Sequence, residues 1–531
     1  MTLRRKDGKL NNTILVLDYG SQVAKLLADC SRNCGVYSEV VPFNITLEEI
    51  IARRPFGIII SGGPDSVYAK NAPTLDKEIF NLGIPILGVC YGHQLIAYML
   101  GGKVSRGEKG EYGYRELALL KTKGTPLEGL NKKIDVWMSH RDQVVKLPSG
   151  FETIAKSSSC SVAAMIDRKR KIVGLQFHPE VEHTKDGKKM INYFLREICG
   201  TTGKWKMSAF KGETIKQIRE QVGKSGWVLG AVSGGVDSTT LAVLMNQAIG
   251  KRFIAMFVNN GLLRQGEEQE VVKTLKQAGV NLKVINAENI FLRALAGIID
   301  PEQKRKIIGR LFIELFEREV KKLGKLNKVK IKFLAQGTLY PDVIESGGLP
   351  AGKAGGPASV IKSHHNVGGL PEKIGFKLIE PFRNIFKAEV RALARELGLP
   401  KIIWGRHPFP GPALAIRIKG YVTREKLEII RRADAIFMEE LMSSGKYYNI
   451  GQAFAVLTSD KSVGVIGDER SYNYVLALRA VDTSVFMTAS VSDLSHEFLC
   501  RISERITNEV KGVGRVVYDY TSKPPGTIEW E

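Results

Sequence analysis

Short apolar runs alternate with segments whose apolar residues recur at helical spacing, the pattern expected of an α/β chain. In the first part the runs are Ile14 to Leu17, Phe56 to Ser61 and Ile84 to Val89. Leu95, Ile96, Met99 and Leu100 then fall on one predicted helix, which Gly101-Gly102 would end. Around Gly200 to Gly212 the pattern lapses into Gly-Thr-Thr-Gly-Lys-Trp-Lys, which reads as a linker. Strands are predicted again at Trp227 to Val232, Phe253 to Val258, Lys283 to Ile285 and Ile331 to Ala335, so ligands should gather beyond their carboxyl ends. From Pro301 an amphipathic helix carries Lys304, Arg305, Lys306 and Arg310 beside Ile307, Ile308, Leu311 and Phe312, and its cations are expected on a basic, solvent-facing or anion-facing side. Gly347 to Gly369 is glycine-rich and contains Ile361-Lys-Ser-His-His-Asn, a linker or a lid that orders over substrate. After about Arg406, helical spacing at Leu427, Ile430, Ala433, Phe437 and Leu441 precedes strand-like Phe454 to Leu457, Val475 to Val481 and Arg515 to Tyr520, an α+β pattern.

A chain of 531 residues with 44% hydrophobic composition can bury several cores. Its 78 Lys and Arg against 55 Asp and Glu leave a formal charge of +23, which favours anionic partners. The charges are interleaved and aromatic residues are 8%, so small nucleotides, or simply a generally basic surface, explain the bias as well as nucleic acid would, and no nucleic-acid partner is expected. Cysteines at 30, 34, 90, 160, 199 and 500 form no Cys-x-x-Cys pair and no zinc framework. The basic start runs into polar residues and no run approaches a membrane span, so a cytoplasmic protein with no membrane partner is expected.

Two stretches carry chemistry. Ser233-Gly234-Gly235-Val236-Asp237-Ser238 lies between an apolar run and a helix. Paired glycines let backbone N–H groups approach phosphate oxygens, and the helix start adds a positive dipole end. The Gly-Lys-Ser/Thr ending of a Walker loop is missing, so what remains is a pyrophosphate cradle. Asp237 cannot donate to an anion when ionised and is expected to hold Mg²⁺, or otherwise to cap the helix.

The second stretch is Gly88-Val-Cys90-Tyr-Gly92-His-Gln94, small residues flanking a thiol between strand and helix, the thiol analogue of a nucleophile elbow. A helix N-terminus lowers a thiol pKa, and a histidine completes its activation. Gly174-Leu-Gln-Phe-His178-Pro-Glu180 supplies the imidazole and a carboxylate to orient it. Ser61-Gly62-Gly63-Pro64 offers N–H groups for an oxyanion. These motifs closely resemble the class I glutamine amidotransferases. The resemblance makes Cys90, His178 and Glu180 a triad acting on glutamine, assigns Gly63 to the oxyanion hole, and has Gln94 and Ser139-His140-Arg141-Asp142 hold the glutamine. Ammonia is then the useful product, and an acceptor-activating domain is expected.

Over essentially its whole length the chain resembles the glutamine-hydrolysing GMP synthetase family. The narrower markers are the run from Asp300, the Ser-His-His-Asn stretch, His407-Pro-Phe-Pro-Gly-Pro412 and Lys523-Pro-Pro-Gly-Thr-Ile-Glu-Trp530. That resemblance implies an amidotransferase domain over 11–203, an adenine-nucleotide α-hydrolase-like parallel-sheet ATP pyrophosphatase (PP-loop) domain over 204–405, and a C-terminal α+β dimerisation domain over 406–531. It implies ATP contacts from Val258, Thr338 and Lys387 beside the glycine loop. It also implies a xanthosine monophosphate (XMP) site built from Arg310, His407, Pro408, Gly411, Pro412, Gln452, Lys523, Ile528 and Glu529 in a homodimer. The implied reaction aminates XMP to GMP through an adenylated intermediate, with Mg²⁺ and ATP. Two departures stand out: Ala28-Asp-Cys-Ser-Arg-Asn-Cys34 where an Arg-Arg pair is usual, and Asn259 where aspartate is common. A tRNA-modifying enzyme with the same ATP loop is the competing reading, and the fused amidotransferase argues against it.

Overall fold

The computed structural model describes residues 13–21, 23–326, 331–345, 376–466, 469–483 and 488–531. The glycine-rich stretch at 347–369, with its expected lid, lies outside the described residues. The chain divides into two compact units, one through Phe210 and the other beginning at Lys211.

The first unit is built on one sheet: β1 (Ile14–Asp18), β2 (Ser38–Pro42), β3 (Gly57–Ile60), β4 (Ile86–Val89), β5 (Lys103–Leu119), β6 (Lys133–Lys146), β7 (Glu152–Lys156), β8 (Ala164–Asp167) and β9 (Ile172–Leu175). Their order is β2-β1-β3-β4-β9-β8-β7-β5-β6. The β2 to β9 half is parallel, and β8, β7, β5 and β6 extend it antiparallel. Strands β1, β3, β4 and β9 are short, rich in Ile, Val and Leu, and almost wholly buried, as a sheet covered on both faces requires. Leu15, Ile58, Ile60, Ile86, Leu95 and Ile96 pack in one core that holds these strands to the helix Tyr91–Met99. Burying each such side chain contributes about 1.5–3 kcal/mol.

In the second unit β10 (Trp227–Val232), β11 (Phe253–Asn259), β12 (Leu282–Asn286), β13 (Ile331–Ala335) and β14 (Lys377–Ile379) form a parallel sheet, ordered β12-β11-β10-β13-β14. Strand order reverses at β10, so the glycine loop leaves the sheet where open α/β sheets bind ligands. Further along, β15 (Gln452–Ile466) and β16 (Glu469–Asp482) form a long antiparallel pair joined by β17 (Ser490–Val491) and β18 (Val513–Tyr518). The helices Arg424–Ser443 and His496–Glu509 bury Ile430, Phe437, Phe498 and Ile502 in a core that also contains Leu262, Phe291, Ile308 and Leu311.

Two expectations change. The polar linker is shorter than it looks, because a helix starts at Met207 and runs to Val222 despite Gly212. The helix Pro301–Leu326 does not present all its cations outward: Lys304 has no exposed side-chain surface. It sits on the apolar stripe of Ile308, Leu311 and Leu315, four residues before Ile308. Its ammonium donates to the carbonyls of Ala415 (3.1 Å) and Ile418 (2.8 Å) and pairs with Glu531 at 3.1 Å. A buried cation is tolerated only when so paired and hydrogen-bonded.

Candidate active sites

The carboxyl ends of β3, β4 and β9 converge on the thiol. Cys90 itself adopts φ +53°, a left-handed backbone rare for a residue with a Cβ, as the sharp strand-to-helix elbow demands. The flanking glycines are obligatory: a Cβ on Gly88 would lie 2.5 Å from the Gly92 carbonyl oxygen, and one on Gly92 would lie 2.3 Å from that of Ile60. Cys90 N–H donates to Leu175 O at 2.8 Å, which ties the elbow to the end of β9.

That same strand end leads to His178, and the Cys90 sulfur is among the groups that act on its imidazole. The imidazole Nδ1 lies 2.7 Å from Glu180 Oε1, and the Glu180 side chain is wholly buried. Burial opposes a charged ring, but the Glu180 carboxylate and the Cys90 sulfur outweigh it and hold His178 protonated well above its ordinary range. The neighbouring His93 is not part of this pair. Wholly buried, it bonds the Val162 carbonyl at 3.1 Å, and burial pushes its pKa down to about 3.

The Ser61–Gly63 loop closes over the nucleophile. A Cβ on Gly62 would stand 3.6 Å from His178 and 3.7 Å from Cys90, and one on Gly63 would press on Tyr19 at 3.1 Å. Opposite, β6 brings the Ser139 carbonyl 3.7 Å from the Cys90 sulfur. Gln94 donates to the Asp142 carbonyl (2.7 Å) and to Gln176 (3.1 Å), whose amide in turn reaches the Cys90 sulfur at 3.8 Å. His140 bridges the Asp142 carbonyl and Glu111, each at 3.0 Å. The Asp142 carboxylate accepts from Ser66 and from Tyr68. The structure thus gathers Cys90, His178, Glu180, Gly63, Gln94, Ser139, His140 and Asp142. Sequence reasoning missed Gln176, which lay inside a quoted motif, and Glu111, Ser66 and Tyr68, which carried no local signal.

In the second unit the loop after β10 turns at Gly234 (φ +85°) into the helix Val236–Ile249. Ser238 Oγ accepts from the Ser233 N–H at 3.1 Å and donates to the Gly235 carbonyl at 3.2 Å, which fixes the loop's shape. The Lys387 ammonium pairs with Asp237 Oδ2. Asp237 Oδ1 is buried with no hydrogen-bond partner among the described residues. Gly337 packs against Asp237, and the adjacent Thr338 donates to Glu380 at 2.6 Å. Arg383 takes the surface ion pair, with Glu380 at 2.8 Å. Val258 lies near the end of β11, and Asn259 after it donates to Glu268 at 2.6 Å while accepting from the Gly261 N–H. Arg406 fastens the loop, donating to the Gly234 carbonyl at 3.0 Å and pairing with buried Glu267 at 3.0 Å.

Arg406 opens the proline-rich loop. Next to it His407 stacks on Tyr447 with ring centroids 3.9 Å apart. Its Nδ1 accepts from the Ala453 N–H (3.2 Å), so its Nε2 carries the proton and donates to the Tyr447 carbonyl (2.8 Å). Burial pushes this imidazole down to about 4. The ring therefore places Pro408 to Pro412 instead of presenting a free base. Gln452 donates to Glu529 (2.8 Å) and to the Pro408 carbonyl (3.4 Å), and Glu529 pairs with fully buried Arg417 at 2.8 Å. Arg479 holds the Ile528 and Thr527 carbonyls, both at 2.9 Å. Lys523 is pinned through its backbone to Ala489. Arg310 stands apart, 65% exposed and beside Glu314 on its own helix.

Fold and sites define a class: a class I glutamine amidotransferase joined in one chain to a nucleotide-binding unit of the PP-loop kind. Three family models match in that order: Glutamine amidotransferase class-I over residues 15–198, NAD synthase over 210–309, and GMP synthase C terminal domain over 439–530. The chain is 52% identical over 518 residues to the glutamine-hydrolyzing GMP synthase of Aquifex aeolicus, covering 98% of this chain and 99% of that one. It is 53% identical over 520 residues to that of Caldicellulosiruptor saccharolyticus (98% and 99%) and 50% identical over 531 residues to that of Zymomonas mobilis (99% and 99%). The chain belongs to the glutamine-hydrolyzing GMP synthase family.

Proposed function

We propose that this protein makes GMP from XMP, using glutamine as nitrogen donor and cleaving ATP to AMP and pyrophosphate. The observation that carries this reading is the pairing, in one chain, of an assembled Cys90-His178-Glu180 site with a glycine loop that lacks the Walker lysine.

At the first site Cys90 attacks the glutamine carboxamide carbon. His178, held protonated by Glu180, delivers a proton to the departing nitrogen. The Gly63 N–H and the first-turn N–H groups of the helix Tyr91–Met99 receive the oxyanion, a contribution of about 3 kcal/mol per donor. Gln94, Ser139, His140 and Asp142 frame the substrate's amino-acid end, with Gln176 steadying the sulfur. Ammonia released here is a competent nucleophile, which ammonium in bulk water is not.

At the second site Ser233 to Ser238 cradle the β and γ phosphates through backbone N–H groups, and Val258, Thr338 and Lys387 complete the ATP contacts. The lone buried oxygen of Asp237 suits a hard cation, so Asp237 would hold Mg²⁺, which supplies charge neutralisation for the phosphate oxygens. The oxygen at purine position 2 of XMP attacks the α-phosphate, pyrophosphate leaves, and ammonia then displaces AMP. Gln452 and Glu529, backed by Arg417, face the purine with the His407 to Pro412 loop. Gly411, Pro412, Lys523, Ile528 and Arg310 complete the proposed XMP set.

The domain boundaries 11–203, 204–405 and 406–531 belong to this proposal, as does a cytoplasmic location; no helix among the described residues is long and apolar enough to cross a membrane. A homodimer is proposed as well. Val463 and Tyr472, paired across β15 and β16, and Val465 are more than half exposed, an apolar face that a second copy would cover.

The test is to supply XMP and MgATP with ammonium, then with glutamine, and to quantify GMP, AMP and ADP. Equal GMP and AMP from either nitrogen source is expected, and ADP as the product would overturn the reading.

A further inference from the structure

Two cysteines that the mechanism does not use sit beside the amidotransferase site. Cys30 lies in the last turn of the helix Val23–Asn33 and Cys34 just past its end, both half-buried and unbridged. Cys34 N–H donates to the Cys30 carbonyl at 3.1 Å, so one helical turn separates them. Helix geometry puts such Cα atoms about 6 Å apart, inside the range a disulfide bridges. The Cys34 sulfur lies 4.0 Å from the Lys188 carbonyl, and Arg196 grips the Cys34 carbonyl oxygen. The two thiols are not equivalent. The neighbouring Cys30 thiol, with Lys188 and Arg196 nearby, lowers the Cys34 pKa, whereas Cys34 and burial raise that of Cys30. Lys188 follows Gly187, which packs so closely on the Pro179 carbonyl, between His178 and Glu180, that a Cβ there would lie 1.9 Å from it; the Glu180 Oε2 beside this turn is buried with no hydrogen-bond partner among the described residues.

We propose that Cys30 and Cys34 form a peroxide-oxidisable dithiol, a reversible modification site whose disulfide reports to Glu180 and suppresses glutamine hydrolysis. The Cys34 thiolate attacks hydrogen peroxide; an S–O bond forms, the O–O bond breaks, and hydroxide leaves to become water. The Cys30 sulfur then displaces the second hydroxide from the Cys34 sulfenic acid, an S–S bond forms, and the Cys30 proton departs with that hydroxide as water. Two thiols thereby give two electrons to one peroxide. Closing the bridge shifts the Cys34 turn and its contact at Lys188, next to the Gly187 that packs on the Pro179 carbonyl, and the positioning of Glu180 and His178 goes with it.

The chain carries its own assay. Trypsin cuts after Lys25 and Arg32, so the bridge would link the peptides 26–32 and 33–53 into one species that separates on reduction. Full-length protein is titrated with hydrogen peroxide and divided for mass analysis and for GMP formation from glutamine and from ammonium. The linked species should accumulate as glutamine-driven synthesis is lost, ammonium-driven synthesis should persist, and a thiol reductant should restore the first. In Cys30→Ser the linked species should vanish and a dimedone label should mark Cys34. In Cys34→Ser no dimedone label should appear at Cys30. Absence of the linked species in the wild type while the Cys90 peptide oxidises overturns the site. Equal peroxide sensitivity of glutamine-driven synthesis in Cys30→Ser and wild type assigns the loss to Cys90 and overturns the switch. The switch rests on the amidotransferase reading; the peptide linkage does not, so the two fail separately.

Discussion

Replacing Glu180 with Gln keeps a side chain of the same shape and an oxygen that accepts from His178 Nδ1, and removes only the charge. That charge is what overcomes burial at the imidazole, which lies 2.7 Å from a carboxylate with no exposed side-chain surface. A hydrogen bond to a charged group contributes about 1.5–3 kcal/mol, and about 1.36 kcal/mol is a tenfold change in rate. Glu180→Gln should therefore lower glutamine-driven kcat/KM by roughly 10- to 150-fold. The direction of the pH effect follows from the same balance. In the wild type His178 stays protonated until pH rises through its raised pKa. In the variant the Cys90 sulfur is left to oppose burial without the carboxylate charge, the imidazole pKa falls, and the alkaline limb of the glutaminase profile moves to lower pH. Ammonium-driven GMP synthesis is the internal control and should not change. Equal loss with both nitrogen sources, or an alkaline limb that stays in place, would refute the reasoning.

Asp237→Asn should depress synthesis from both nitrogen sources, because it removes the charge that pairs with Lys387 and that the proposed Mg²⁺ would need; steady-state assays with glutamine and with ammonium check this. Lys304→Met should destabilise the second unit by about 3–5 kcal/mol, the cost of leaving a buried partner unpaired, read from denaturant unfolding. Glu111 is a pH-stability element of the first unit. Burial would raise its pKa, but hydrogen bonds from His140, Ser157 and Ser159 outweigh that and take it from 4.5 to about 2. A carboxylate depressed on folding stabilises above its unfolded pKa and loses that contribution as pH falls through its folded one. Glu111→Gln should flatten the acid destabilisation between pH 4.5 and about 2, measured by unfolding at a series of pH values.

Local pattern made much of this protein legible before any coordinates. The apolar runs at Ile14, Phe56 and Ile84 became buried parallel strands with ends shifted by only a residue or two, since strands buried on both faces read as continuous Ile, Val and Leu. The elbow around Cys90 was legible for a comparable reason: a positive φ and two close backbone approaches leave little choice but small residues on either side. Lys304 shows where composition misleads. A cluster of cations suggested one exposed face, yet the spacing of Lys304 to Ile308 and Leu311 put it on the buried stripe, and only its carbonyl partners 111 and 114 residues away explain how it stays there.

By itself the sequence determined the strand and helix pattern, the two motif loops and the family, because those depend on neighbours within a few residues. The tertiary structure supplies the reason that His178, already singled out by its motif, and not the nearer His93, stands with Cys90. His93, three residues away, turns to the Val162 carbonyl, while His178 arrives from β9 because β9 pairs with β4. It also decided that the chain's last residues are internal partners, with Glu529 on Arg417 and Gln452, and Glu531 on Lys304. A charge is placed inside a protein by partners that lie far off in the chain, and no local pattern encodes them.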